Sequence, residues 1–336
     1  MQSSPNRLAS SLRDYFANHL PCLRGMSPHT VRSYRDTVVL LLRFVASTRK
    51  VEVCDLDLAD LQPDRILAFL AHLEKDRGNS ATTRNVRLAA IHAFFRYVGA
   101  QHPDHLEQAQ RVLGVPFKRT DQRVIEYLDR TEIETVIAGI DRKTADGRRD
   151  YALLATMFNT GARVQEVIDL RANDLQLARP YQLRLFGKGR KERYCPLWPQ
   201  TAQVLTAMCD ERSIDLRSDA RVFLNHRGTR LTRFGVRYIL ARHIDRVRPA
   251  VTSLARKRLH PHSMRHSTAV ALLKSGVDLS TISQWLGHAS PTTTSRYATL
   301  DLDMKRDAIN RVKPIAGSRK TGRRASETVL QWLENL

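Results

Sequence analysis

Residues 115–125 divide this chain. The stretch runs from Val115 through Pro116, Lys118, Arg119 and Arg123 to Ile125, and it is polar, basic and interrupted by proline. Such a segment carries no continuous apolar stripe, so it joins folding units and does not build one. With 336 residues, the chain is long enough to bury a core on each side of it. The apolar pattern changes across this boundary. Before it, helical spacing alone is found; after it, helical spacing is broken once by a strand pattern. The expected fold is therefore mainly α, with a helical first unit and a mixed α/β, mostly α, second unit.

In the first unit Leu8, Leu12, Tyr15 and Phe16 share one helical face. Ser27-Pro28 is a cap followed by proline at the first helical position. It opens a helix whose face holds Tyr34, Val38, Leu41, Leu42 and Val45. Pro63 to Leu73 reads as a third helix, with Ile66, Leu67, Phe69 and Leu70 inward. Ser80 caps a fourth from Ala81 to Val98, through Val86, Leu88, Ile91, Phe94, Phe95 and Val98. Four or five short helices predict a small bundle over 6–115.

The second unit opens on Asp129-Arg130-Thr131-Glu132, a capping box with aspartate as the cap. Residues 181–186 alternate as a strand does, Gly187-Lys188-Gly189-Arg190 is a turn, and Arg193 to Leu197 returns as a second strand, which predicts a β-hairpin. Helices are expected at about 200–213, 232–246, 264–275, 279–286 and 291–298, with Gly276 and Gly287 as helix stops. The tail differs. Residues 313–325 are Gly-, Ser- and Lys/Arg-rich, and Ser326 then caps a short amphipathic segment with Val329, Leu330, Trp332, Leu333 and Leu336. A helix that short is not stable alone, so it is expected to dock, on its own chain or on a neighbour.

Charge narrows the function. Fifty-five Lys and Arg stand against 34 Asp and Glu, a net charge of +21 spread along the whole chain. Such an excess points to a polyanionic partner, most simply nucleic acid, or to an anionic membrane surface, and its spread along the chain favours a protein that wraps its partner. No run of 18 apolar residues exists, which argues against a membrane helix. The stretch Met1 to Asn6 has no apolar core of a secretory signal. Cys22, Cys54, Cys195 and Cys209 form no C-x-x-C pair and read as reduced residues in a cytosol.

The chemistry concentrates late in the chain. His262 and Arg265 are three residues apart near the start of a helix, so they share a face. An imidazole exchanges a proton near neutral pH, and a guanidinium grips phosphate oxygens as a fork. Leu286-Gly287-His288 and Tyr297 follow. Upstream, Arg163 comes after a glycine turn with Glu166 one helical turn on, placed to hold that guanidinium. Lys188 stands between glycines at the hairpin tip, a candidate general acid for an alkoxide leaving group. Two arginines, two histidines, a lysine and a tyrosine are suited to attack on a phosphodiester without a metal. A metal site of His260, His262 and His266 is the weaker reading, because Arg265 lies among those ligands and no suitably spaced carboxylate accompanies them.

Gly161-Ala162-Arg163 with Glu166, Gly187-Lys188-Gly189-Arg190-Lys191-Glu192-Arg193, His262-x-x-Arg265-His266, Leu286-Gly287-His288 and Tyr297 together resemble the signature of the tyrosine recombinase (phage integrase) family. Their order and spacing match, and the resemblance spans residues 6–312. It implies a helical core-binding domain at 6–115, a linker at 116–126, a catalytic domain at 127–312 and, at 313–336, a flexible linker with a C-terminal helix that docks on a neighbouring protomer. It also implies roles. Tyr297 would be the nucleophile that forms a 3′-phosphotyrosyl link. Arg163 and Arg265 would clamp the non-bridging oxygens, and Lys188 would protonate the leaving 5′-oxygen. His262 would assist proton transfer to and from the tyrosine, His288 would hydrogen-bond the phosphate, and Glu166 would orient the site. Met264 and Ser267 stand where the family commonly has leucine and threonine, outside the reacting groups. No metal or cofactor is implied.

The expected partner is double-stranded DNA with inverted-repeat core sites. Arg32, Arg35, Thr83, Arg84 and Arg87 in the first unit, and Arg190, Lys191, Arg230, Arg233 and Arg237 in the second, are the candidate contacts. The resemblance implies a homotetramer on synapsed DNA, or a hetero-assembly with sibling recombinases, in the cytoplasm of a bacterium and associated with its nucleoid. It leaves open integration, excision or transposition of a mobile element, the favoured reading, against Xer-like resolution of replicon dimers. A type IB topoisomerase and a non-catalytic DNA-binding protein are the remaining alternatives.

Overall fold

The computed structural model describes residues 6–120, 125–187 and 191–287, together with Thr294 and Tyr297. The chain separates into two compact units, Met1–Arg123 and Val124–Leu336.

The first unit is helical throughout. Asn6 opens α1 (Arg7–Asp14) by accepting the Ala9 N–H at 2.7 Å. The chain continues into a wider π-type turn, Tyr15–Leu23, that accommodates Pro21. α2 (Pro28–Arg49) begins at the Ser27 cap, whose hydroxyl accepts from Thr30 N–H. α3 (Pro63–Lys75) and α4 (Ala81–Gln101) follow, α4 from the Ser80 cap, and α5 (Leu106–Leu113) closes the unit. Val38, Leu41, Val45, Ile66, Phe69, Leu88, Ile91, Phe94, Phe95 and Val98 are buried, as their spacing requires. Each large side chain among them contributes about 1.5–3 kcal/mol by leaving water. Two expected core positions, Leu67 and Val86, are 46% and 54% exposed, because each lies off the face its helix turns to the bundle.

In the second unit Asp129 and Glu132 form the expected capping box, each side-chain oxygen accepting the other's backbone N–H at 2.8 Å. They open α6 (Arg130–Ala138), and α7 (Ala145–Thr160) and the short α8 (Val164–Ile168) follow. The expected hairpin is β2 (Gln182–Phe186) with β3 (Glu192–Pro196), pairing Leu183 with Cys195 and Leu185 with Arg193. A two-residue strand, β1 (Leu175–Gln176), adds to its other edge and makes an antiparallel sheet in the order β1-β2-β3. Two residues are too few for an alternation to be read from sequence. α9 (Pro199–Glu211), α10 (Arg233–Val247), α11 (Pro261–Lys274) and α12 (Leu279–Leu286) complete the described part. α11 starts at Pro261, three residues before the expected start, because proline suits the first helical position.

The expected linker is docked at both ends, each on its own unit. Arg84 donates to the Pro116 carbonyl at 2.8 Å, and Asn85 brackets Lys118 by its carbonyl and its N–H. On the other side Glu126 Oε2 accepts the Arg258 backbone N–H at 2.6 Å. The main core of the second unit gathers α6, α7, the sheet and α9–α10, while Ala269, Val270, Leu273, Ile282, Leu286 and Tyr297 form a smaller one beside it. The expected turn at 188–190, most of the helix expected at 291–298 and the tail at 313–336 lie outside the described residues. No helix among the described residues is long and apolar enough to cross a membrane.

Candidate active site

The site is assembled around the end of α12. A helix leaves its last carbonyls without intrahelical partners and carries partial negative charge there. α12 ends at Gly287, whose φ of +64° is the left-handed conformation glycine adopts without strain. Three successive carbonyls at this end each meet a different arginine. Trp285 O accepts from Arg193 Nε at 2.9 Å, Leu286 O accepts from Arg265 Nη2, and Gly287 O accepts from Arg163 Nη2 at 3.0 Å.

Arg265 comes from the first turns of α11 and is 1% exposed. Its other terminal nitrogen, Nη1, donates to the Gly161 carbonyl at 2.7 Å. Gly161 ends α7 with φ +59°, and a Cβ there would lie 2.4 Å from Leu286 Cδ2. Glycine is thus required twice over, by its backbone angle and by the contact that seats α12. Burial, and then the charge of Arg163, press the Arg265 pKa down to about 9. The group remains a cation at neutral pH. It feels both Arg163 and Tyr297, so residues 102 positions apart in the chain are brought to one place.

Arg163 follows the Gly161 turn and is one-third exposed, its Nη1 donating to Glu166 Oε1 at 2.8 Å. Glu166 is nearly sealed, and it accepts four N–H contacts. Oε1 also takes Arg193 Nη1 at 3.1 Å, while Oε2 takes Arg193 Nη2 at 2.6 Å and the Arg163 backbone N–H at 2.8 Å. Burial would raise the Glu166 carboxyl; the Arg193 hydrogen bonds and charge, with help from Arg163, outweigh it and hold the group below its usual range. The carboxylate thus holds Arg163, as the sequence predicts, but its main partner is Arg193.

Arg193 received no role from sequence, although its position signals one. It lies in β3 opposite the buried Leu185, on the same side of the sheet as buried Cys195. A charge at a core-facing strand position must find a partner.

Tyr297 is 1% exposed, and its hydroxyl is hydrogen-bonded to His266 Nδ1 at 2.7 Å. His266 is also unassigned by sequence, yet it sits four residues after His262 on one face of α11. The two rings meet edge to face with centroids 4.6 Å apart. His262 keeps an exposed edge. Desolvation by the surrounding protein, then the charges of Arg265, His260 and Arg163, press its pKa down to about 4, so it is a neutral imidazole at pH 7. Ser267, at the position where the family commonly has threonine, bridges Leu128 N–H and the Ser263 carbonyl. Lys188 and His288 lie outside the described residues, but their neighbours Gly187 and Gly287 both pack against Arg193.

The candidate DNA contacts separate into two kinds. Arg32, Arg35, Lys191, Arg230, Arg233 and Arg237 are exposed. Arg35 pairs with Asp36, Arg230 with Asp169, and Arg233 donates to Gln165 at 2.7 Å. Thr83 is half-buried beside its Ser80 cap, and Arg87 is half-buried with Nη1 on Thr37 Oγ1 at 2.9 Å. Arg84 departs furthest from a surface contact. It is 4% exposed and spends its guanidinium on the Pro116 carbonyl, as an internal brace. Arg190 lies outside the described residues.

Residues 126–304 match the phage integrase family, and residues 14–102 match the phage integrase N-terminal SAM-like domain. The chain is 39% identical over 331 residues, 98% of each chain, to a Sinorhizobium fredii protein named as integrase/recombinase y4rC. It is 31% identical to the tyrosine recombinase XerC of Myxococcus xanthus, covering 91% of this chain and 99% of that one. Among solved structures, the XerH site-specific recombinase bound to its difH substrate superposes with TM-score 0.65 at 20% identity, over 92% of this chain and 90% of that one. The Tn1549 transposon integrase with transposon right end DNA gives TM-score 0.66 at 17% identity, over 90% and 99%. At those identities the two structures establish the fold. With the family matched across more than half its length, the chain belongs to the phage integrase family of tyrosine recombinases, enzymes of site-specific DNA recombination.

Proposed function

We propose that this recombinase cuts and rejoins DNA with Tyr297 as its nucleophile, and that it serves a mobile element by integration, excision or transposition. The observation that carries the chemistry is the place of buried Arg265 beside α12, within electrostatic reach of both Arg163 and Tyr297. In this reading the Tyr297 oxygen attacks phosphorus. An O–P bond to the tyrosine forms, and the bond from phosphorus to the 5′-oxygen breaks. The phenolic proton passes to the α11 histidines, and Lys188 protonates the departing oxygen. Arg163 and Arg265, with His288, stabilise the charge that builds on the non-bridging oxygens, the kind of stabilisation that dominates such reactions. The phosphotyrosyl ester conserves bond energy, so a 5′-hydroxyl from a partner strand reverses the step without ATP.

A DNA substrate nicked near its scissile phosphate tests this, because the short leaving strand diffuses away. The wild-type protein should accumulate a covalent adduct and Tyr297→Phe none. An adduct in the phenylalanine variant overturns the nucleophile assignment. Two-site recombinant products, and not plasmid relaxation alone, separate the recombinase from a topoisomerase.

The mobile-element role is supported by the similarity to the integrase/recombinase y4rC along nearly the whole chain. Resolution of replicon dimers is the second reading, supported by the XerC relatives. Inverted core sites, the helical 6–115 unit as core-binding domain, and a tetramer or hetero-assembly of siblings in a bacterial cytoplasm belong to the same proposal. The tail helix at 326–336 would link protomers. Its deletion should leave single-site binding intact and impair strand exchange; unchanged recombination by the truncated chain would refute the link.

A further inference from the structure

We propose that Arg193 is a positioning residue of the recombinase site, acting through Glu166 and the end of α12 to present Arg163 to the scissile phosphate. The inference rests on the strand-cutting reading above and goes beyond it, because among the described residues Arg193 touches no reacting group.

The geometry is specific. Glu166 is a buried carboxylate beside a guanidinium that must meet an anion. Left with Arg163 as its only cation, it would neutralise that arginine and compete with the phosphate. Arg193 prevents this by contacting both carboxylate oxygens, at 3.1 and 2.6 Å, which leaves Arg163 one side-chain contact to Oε1. Arg163 then points its other terminal nitrogen to the Gly287 carbonyl, the residue before His288.

The same guanidinium joins three elements. Its Nε holds the Trp285 carbonyl of α12 at 2.9 Å, its terminal nitrogens hold the first turn of α8 through Glu166, and its own backbone belongs to β3. Gly287 and Gly187 are the surfaces on which it lies. A Cβ on Gly287 would come within 3.1 Å of Arg193 Nη1, and one on Gly187 within 3.7 Å of the same atom and 3.6 Å of Glu166 Oε1. Gly187 in turn closes the base of the hairpin loop, its N–H reaching the Lys191 carbonyl at 2.7 Å. Lysine could supply the charge of Arg193. It could not serve both carboxylate oxygens and the Trp285 carbonyl in one planar array.

The test uses the full chain and the nicked DNA substrate, with adduct formation timed and single-site DNA binding measured alongside. Arg193→Gln should slow the adduct by about 10- to 100-fold, by analogy with partners that orient metal ligands, with binding within about two-fold of wild type. Arg193→Lys should fall between the two. The decisive arm is Arg193→Gln combined with Glu166→Gln. Removing the orphaned carboxylate charge frees Arg163, so the double variant should cleave faster than Arg193→Gln alone. Residues in direct contact are non-additive even in a structural role, so the folded fraction of each variant is measured by denaturant unfolding, and a rate loss that only follows the loss of folded protein would overturn the proposal. Wild-type rates in Arg193→Gln, or in Arg193→Lys should the glutamine variant fail to fold, would overturn the proposal, as would a double variant slower than either single one. A wild-type protein that forms no adduct would instead refute the strand-cutting reading itself.

Discussion

His266 Nδ1 and the Tyr297 hydroxyl lie 2.7 Å apart, and the Tyr297 ring belongs to the smaller core of the second unit. The phenol that the family pattern marks as nucleophile therefore rests on a histidine that the pattern leaves without a role. With the phenol donating, Nδ1 accepts and the proton has a place to go. His266→Phe should leave single-site DNA binding unchanged and slow adduct formation on nicked DNA by about 100-fold, the scale of one proton-transfer partner. A rate within two-fold of wild type would return the proton-handling role to His262 alone.

His262 should titrate well below the other histidines of an unstructured chain. Its folded pKa is lowered, from 6.5 to about 4. The unfolded chain binds the proton first on acidification, so this residue weakens folding as pH falls from 6.5 toward 4 and has no effect on stability above 6.5. The measurement is the imidazole titration by NMR. A midpoint near 6.5 in the DNA-free protein would contradict the assignment. Bound DNA should raise the midpoint, because a phosphate offsets the positive charges of Arg265 and Arg163.

Gly161→Ala should be costly where Gly276→Ala is mild. Both glycines have positive φ, +59° and +84°, so each alanine carries backbone strain. At Gly276 no atom lies within 4 Å of the added carbon, whereas at Gly161 Leu286 Cδ2 is 2.4 Å away. The expected loss is about 1 kcal/mol at Gly276 and about 2–4 kcal/mol at Gly161, read by denaturant unfolding. Strand cleavage should also drop in Gly161→Ala alone, since its carbonyl holds Arg265.

Asp150 is a fold determinant remote from the reaction. It is fully buried, with Arg149 on Oδ1 and Arg242 and His243 on Oδ2. Burial would raise its pKa, but the His243 and Arg149 hydrogen bonds prevail and lower it. Its stabilisation is therefore complete above the ordinary carboxylate value and lost as pH falls through the lowered one. Asp150→Ala should cost about 3–5 kcal/mol by taking the buried carboxylate from Arg149 and His243, and should flatten the acid limb of the stability curve. An unchanged acid limb would place that dependence elsewhere.

Arg237 is exposed on α10 beside exposed Phe234 and Tyr238. If it meets a phosphate, Arg237→Ala should weaken binding equally across DNA sequences and reduce the slope of log K against log salt by about 1. Arg84→Ala should instead act mainly on stability, because that side chain braces Pro116 from inside the first unit. A salt slope unchanged in Arg237→Ala would remove Arg237 from the interface.

Much of the fold was legible because its signals are local. Ser27, Ser80 and Asp129 cap the helices their sequence positions announce, and the alternation at 182–186 marks the central strand. The misses are equally physical. β1 is too short to alternate, and Val86 is apolar but faces solvent. Arg84 reads as a surface cation until the chain at Pro116 folds over it.

The amino-acid sequence alone determined which groups are available: two forked cations, a carboxylate one turn from the first, and the ordered motifs that mark a tyrosine recombinase. Those are properties of residue type and spacing. Only the tertiary structure decided who holds whom. Glu166 lies 27 residues before Arg193, and Tyr297 lies 31 residues after His266, distances at which no periodicity reports a contact. The end of α12 shows this most plainly, since its last three carbonyls, left without partners by the helix, are met by three arginines from separate elements.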